Sequence, residues 1–193
     1  AADFVPVSPV VAATCVFAVS SMVPASVKSL QDYVRWVHEA PHGATYASPA
    51  AGSMAHFLGY ESSEAGRHKL QHVGYRGSAP AMQVLLGGQI PAYLGFVPDF
   101  LPYLKQGKVR MLGVTSEQRS RFMPAVPTFA EQGFTSVRGT ETYGVFPPPA
   151  TPQASVRALH ESIVLAAQDP TLVAAFDQVG LEPFTQAPSA YAA

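Results

Sequence analysis

The sequence is short of charge. Asp, Glu, Lys and Arg make up only 13% of its 193 residues, and the formal net charge is −1. Nucleic-acid binding calls for a basic stripe, and an anionic membrane surface calls for clustered Lys and Arg; the sequence has neither. Apolar residues reach 48%, which excludes a chain too polar to build a core. Cysteine is almost absent: Cys15 stands alone, so no intramolecular disulfide can form, and cysteine usage leaves the compartment open. Long hydrophobic runs are missing too. Val10–Val19 (VVAATCVFAV) is too short to cross a bilayer, and Asp3, not a basic segment, precedes it. Ala12-Ala13-Thr14 lacks the branched residue of a lipid-anchor site. The run reads as a buried strand with a packed thiol.

Catalytic signatures are equally scarce. The sequence has no GxSxG, P-loop or GxGxxG motif, and Gly74-Tyr-Arg-Gly77-Ser78 has the wrong spacing for a nucleophile elbow. One motif does match a metalloprotease pattern, His38-Glu39-Ala40-Pro41-His42. Zinc chemistry of that kind needs both histidines one turn apart on a continuous helix. Pro41 pushes the preceding residue out of the helical region, and Gly43 follows, so the helix is expected to end near Ala40. His38 and His42 then read as residues at the negative end of a helix dipole. His56, His68, His72 and His160 are scattered and read as structural. The expectation is a protein that is not an enzyme, with no metal and no cofactor.

What is present is an alternation of strand and helix signals. Cys15–Ser20 reads as a strand. Ser26 offers a helix cap before Val27, Leu30, Tyr33, Val34 and Val37 at helical spacing. Strands are expected at Thr45–Ala47, Leu70–Tyr75, Ile90–Val97 and Val109–Thr115. Helices are expected at Met54–Ser62, Ala79–Leu86 and Asp99–Lys105. This pattern predicts an α/β domain with a largely parallel sheet. After Ser116 the chain becomes rich in loops. Val137–Phe146 reads as extended, Pro147-Pro-Pro breaks it, and helices follow from Pro152 and Pro170. The chain therefore reads as one lobe to about Val137, followed by elements of a second.

Two strand–turn–helix junctions stand out: Tyr46-Ala-Ser48-Pro-Ala-Ala-Gly52-Ser53 and Val73-Gly-Tyr75-Arg-Gly77-Ser78-Ala79-Pro80. Small residues let a ligand approach the backbone. The first amides of a helix have no internal partner, and the positive dipole end favours an anion. In a parallel sheet such junctions lie beyond the carboxyl ends of the strands, where ligands bind. For either junction alone, simple helix capping accounts for the composition as well. Two in consecutive βα units favour anion binding.

These residues resemble the Bug (TctC-like) solute-binding proteins of tripartite tricarboxylate transporters. The resemblance includes Asp3-Phe-Val-Pro-Val, the two junctions, Leu85-Leu-Gly-Gly-Gln89, Leu104-Lys-Gln-Gly107 and Pro124-Ala-Val-Pro127-Thr-Phe-Ala-Glu131-Gln-Gly133. It covers essentially the whole chain. It implies a type II periplasmic binding protein-like α/β fold with two lobes, the first lobe incomplete. Residues 15–137 would form the second, ligand-gripping lobe, and residues 1–14 and 138–193 part of the first. Both ends are expected to be cut from something longer, with the signal peptide absent. The resemblance also implies a periplasmic monomer that captures a small carboxylate for the membrane subunits of such a transporter. Carried over by position, the ligand turns are Ser48, Pro49, Ala50, Gly52 and Ser53, then Tyr75, Gly77, Ser78 and Ala79. Ala50 stands where the family usually has Gly, so a Cβ would crowd the approach. Asp99 either accepts a ligand amine or caps its helix, and Arg76 reads as a solvated charge. The alternative is an effector-binding domain of a LysR-type regulator, which would need a helix-turn-helix not seen here.

Overall fold

A computed structural model describes residues 3–40, 44–104 and 106–192. The apolar run becomes the middle of a long strand, β1 (Ser8–Val19), with Cys15, Val16, Ala18 and Val19 fully buried. The chain divides into two units, one of Ala1–Ala13 with Glu141–Ala193 and one of Thr14–Thr140.

In the Thr14–Thr140 unit the helices begin where side chains can close their first amides. The first, α1 (Leu30–Glu39), is capped by Ser29, not Ser26. Ser29 accepts from the Asp32 N–H while the Asp32 carboxylate accepts from the Ser29 N–H, a reciprocal capping box. Those hydrogen bonds, from the Lys28 and Ser29 side first, hold the Asp32 carboxyl at about 2. Ser26 loses because the chain at Val23–Val27 is tied elsewhere: Arg110 donates to the carbonyls of Val23, Pro24 and Val27. The helix ends at Glu39, with Ala40 at φ −129°. His42 lies outside the described residues.

Four more strands complete this unit: β2 (Thr45–Ser48), β3 (Gln71–Gly74), β4 (Ala92–Phe96) and β5 (Arg110–Val114), in the order β3-β2-β4-β1-β5. β2 is parallel to both β3 and β4, but β1 runs antiparallel to β4 and β5. The sheet is therefore mixed, not largely parallel. From β2 onward each next strand is delivered in the same direction, whereas β1 precedes these strands in the chain and runs against both β4 and β5. Between the strands lie α2 (Met54–Ala65) and α3 (Ser78–Leu86). The helix expected from Asp99 is a single turn, α4 (Val97–Phe100), followed by a 3-10 turn at Leu101–Tyr103. Pro98 and Pro102 lack the amides that a longer ladder would need.

The core packs on both faces of this sheet. Phe17 meets Tyr33 edge to face at 5.0 Å, and Phe129 joins them at 6.4 Å. On the other side Ala81, Met82, Leu85, Tyr93, Phe100 and Val114 form a buried cluster. In the second unit, β6 (Thr140–Val145) and β7 (Glu182–Pro183) pair with the first half of β1. Three helices follow the chain there: α5 (Gln153–Ala166), α6 (Pro170–Val179) and α7 (Pro188–Tyr191). On α5, Val156 is buried and Leu159 is 40% exposed.

Candidate functional site

The parallel register Ser48↔Gly74 places the ends of β2 and β3 side by side. Tyr46↔Ala92 aligns β4 with them, so three strands deliver their following turns to one edge of the sheet. These turns carry the ligand-turn residues and Asp99 that the resemblance to the family picks out. The structure therefore brings Ser48–Ser53, Tyr75–Ala79 and Asp99 to the same sheet edge, and it gives them different tasks.

The Tyr75–Ala79 turn is the open one. Gly77 caps α3 at φ 104° and ψ 170°, a conformation open essentially to glycine, and no side chain caps this helix. The Gly77 N–H donates to the Pro49 carbonyl at 2.8 Å, and the Tyr75 N–H donates to the Ser48 carbonyl at 3.0 Å. These bonds lock the second turn to the first. Pro80 has no amide, and Ala81 is the first residue able to bond back to the cap within the helix. The Ser78 and Ala79 amides remain, and among the described residues neither donates to a protein acceptor. A Cβ placed on Gly77 would meet nothing within 4 Å, so the space at its Cα is clear.

The Ser48–Ser53 turn ties up its own side chains, although the Met54 and Ala55 amides at the start of α2 also have no acceptor among the described residues. The Ser48 hydroxyl is fully buried and donates to the Ala50 carbonyl at 3.0 Å. The Ser53 hydroxyl donates to the same carbonyl at 2.8 Å and accepts the His56 N–H, capping α2. Ser48 belongs to a ligand turn by resemblance, and its buried hydroxyl shapes that turn. Ala50 does not have a positive φ, so its Cβ introduces no backbone strain there; Gly52 carries the left-handed residue instead, at φ 79°. The Gly52 N–H donates to His56 Nδ1 at 3.0 Å.

Asp99 faces inward. Its Oδ2 accepts from the Tyr93 hydroxyl at 2.8 Å and from the Phe96 N–H at 2.9 Å. Burial, then the nearby Asp99 carboxylate, push the Tyr93 hydroxyl far up, so it stays a donor. The Ser78 hydroxyl also meets Tyr93, so this network ties the start of α3 to the end of β4. Of the two readings of Asp99, the geometry supports the cap.

Sequence reasoning passed over two features of this unit. One is the pair His56 and His72, whose rings stack with centroids 3.7 Å apart and planes 17° apart. Burial, then His56, lowers the His72 pKa, and its Nε2 lies 2.7 Å from Ser48 Oγ. The local signal was the Gly52-to-His56 spacing of one helical turn. The other is a cleft of about 270 Å³ lined by Thr115, Ser116, Glu117, Arg138, Gly139 and Thr140. A larger hollow of about 460 Å³ lies in the other unit, against Phe4, Pro6, Phe146 and Tyr191. Its lining is mainly apolar, and the paired turns with their free amides lie elsewhere. The paired turns are the candidate site.

The family model for the tripartite tricarboxylate transporter family receptor, TctC, matches residues 1–192. The chain belongs to this family. It is 31% identical over 173 residues to a UPF0065 protein from the gbd 5′ region of Cupriavidus necator, covering 89% of this chain and 52% of that protein. A solved structure described as a periplasmic transporter superposes with a TM-score of 0.88 at 30% identity, covering 98% of this chain and 63% of its own. The R. palustris protein Rpa4515, solved with adipate, also gives 0.88, at 25% identity, covering 97% of this chain and 62% of its own. The fold is thus of the periplasmic binding type. The chain spans about half the length of the curated relatives it matches.

Proposed function

We propose that this chain carries one jaw of a carboxylate site in a periplasmic solute-binding protein that serves the membrane subunits of a tripartite tricarboxylate-type transporter. The observation that supports it most is the pair of unpartnered amides, Ser78 and Ala79, at the start of an uncapped helix beside a second helix start. Backbone donors at a helix N-terminus suit a carboxylate, because the charge meets both the amides and the dipole. In this reading Ser48, Pro49, Ala50, Gly52 and Ser53 shape the neighbouring wall, while Tyr75 and Gly77 hold the open turn against it. The adipate in the Rpa4515 structure supports a carboxylate ligand.

Magnitudes indicate how tightly one jaw grips. Two charge-assisted bonds contribute about 1.5–3 kcal/mol each. Lost translational and rotational freedom costs at least ~4 kcal/mol. At most about 2 kcal/mol is left, so the chain alone binds at roughly 30 mM or more weakly. The test is an amide NMR titration of this chain with adipate at pH 7. Supporting shifts centre on Ser78 and Ala79 and spread to Gly52 and Ser53. Absence of shifts there at several hundred millimolar adipate, or shifts centred elsewhere, overturns the proposal.

A further inference from the structure

We propose that His56 and His72 couple carboxylate capture to the uptake of one proton, with His56 acting as the acceptor that holds the first turn shut until it is protonated. The inference rests on the carboxylate reading of the site and adds its regulation.

The bonding leaves little freedom. A backbone N–H can only donate, so His56 Nδ1, which receives the Gly52 N–H at 3.0 Å, carries a lone pair. The neutral ring then has its hydrogen on Nε2. A proton arriving at Nδ1 converts that nitrogen into a donor, and the Gly52 bond must break. The same event frees the Gly52 amide at the edge of the candidate site and places a positive charge one helical turn from it. Both changes favour an anion, so a bound carboxylate favours the protonated pair.

His72 limits the uptake to one proton. Its ring lies face to face with that of His56 at 3.7 Å, so two positive charges would repel at contact distance. The Ser48 hydroxyl gives its hydrogen to the Ala50 carbonyl, so His72 Nε2 must donate to Ser48 Oγ. The free basic nitrogen of His72 is therefore Nδ1. β2 contributes Tyr46, whose ring lies 5.1 Å from His72 and whose hydroxyl donates to the His56 carbonyl. Burial pushes that phenol up to about 12, so it stays neutral. α2 adds Phe57, stacked on His56 at 5.6 Å. The charge-bearing group that acts on His72 is His56. A carboxylate arriving from solution would be the counter-charge the pair lacks.

The experiment uses this chain and adipate. Its affinity is measured by NMR titration between pH 5.5 and pH 8, and imidazole ¹⁵N shifts report the state of each ring. One proton taken up on binding strengthens affinity about tenfold per pH unit inside the window between free and bound pKa values. A gain of roughly tenfold in all from pH 8 to pH 5.5 is expected. Adipate at pH 6 should move His56 Nδ1 to a protonated shift and shift the Gly52 amide with it. The variant H56N, which keeps a side-chain oxygen able to accept the Gly52 N–H, should show a slope under twofold. The ¹⁵N shifts of the unaltered chain decide the matter if that variant does not fold. Adipate shifts at Ser78 and Ala79 with an affinity equal at both pH values, or with His56 Nδ1 unprotonated throughout, overturn the coupling and leave the carboxylate site standing. No adipate binding at any pH overturns both.

Discussion

Two βα turns sit side by side at the ends of parallel strands, yet they treat their polar groups in opposite ways. The Ser48–Ser53 turn closes inward: two hydroxyls share the Ala50 carbonyl, and an imidazole takes the Gly52 amide. The Tyr75–Ala79 turn faces outward, with a glycine at its helix cap and no side chain bonded to the start of α3. The difference shows that a glycine- and serine-rich junction need not be a ligand site. What matters is whether any side chain reaches the helix start first. Ser53 reaches it at α2, whereas the glycine at the α3 cap cannot.

The largest separation of the two turns should come from their glycines. Gly77→Ala forces a side chain into a region that is essentially glycine's alone and should cost about 1–3 kcal/mol. Gly52→Ala, in the left-handed helical region, should cost about 1–2 kcal/mol. Urea unfolding measures both. Adipate-induced shifts at Ser78 and Ala79 should vanish with Gly77→Ala and persist with Gly52→Ala. Equal loss in both variants would remove the distinction between an open turn and a closed one.

The serines give a smaller contrast. Ser53→Ala removes the α2 cap and should cost about 1 kcal/mol. Ser78→Ala leaves its backbone amide in place, so adipate should still shift that amide. Loss of the adipate shifts with Ser78→Ala would show that the hydroxyl, and not the amide, does the gripping.

Acid should discriminate most finely. The pKa of His72 is lowered in the folded chain, chiefly by burial, from an ordinary 6.5. A lowered histidine favours folding above its unfolded value, and that contribution is lost as pH falls through the folded value. Without adipate, protection of the Gly52 amide against hydrogen exchange should therefore decline below about pH 6.5. Ser78 and Ala79 should exchange freely across the range. A Gly52 amide equally protected at pH 5 and pH 8 would separate the histidine pair from the turn.

Much of this was legible because it is local. The two turns, the starts of α2 and α3 within a residue, and the buried strand around Cys15 follow from glycine, serine and apolar spacing. The end of α1 was legible for the same reason, since Pro41 acts on its immediate neighbour. Errors came where distant residues decide. Ser26 has the right side chain for a cap, but Arg110, 84 residues on, holds the preceding segment, and Ser29 takes the role. Nothing local gives the direction of β1, so a mixed sheet was read as largely parallel. Asp99 could not be assigned until Tyr93 was seen against it.

By itself the sequence determined which residues form the two turns and which family they resemble, because chain conformation at glycine, proline and cap positions is set by near neighbours. Tertiary structure decided which turn is open. That depends on the register of β2 against β3, which locks the turns together through Gly77 and Pro49. It depends as well on the stacking of His72 against His56, sixteen residues apart in sequence. A hydrogen bond goes to whichever acceptor lies within about 3 Å, and only the folded chain fixes which one that is.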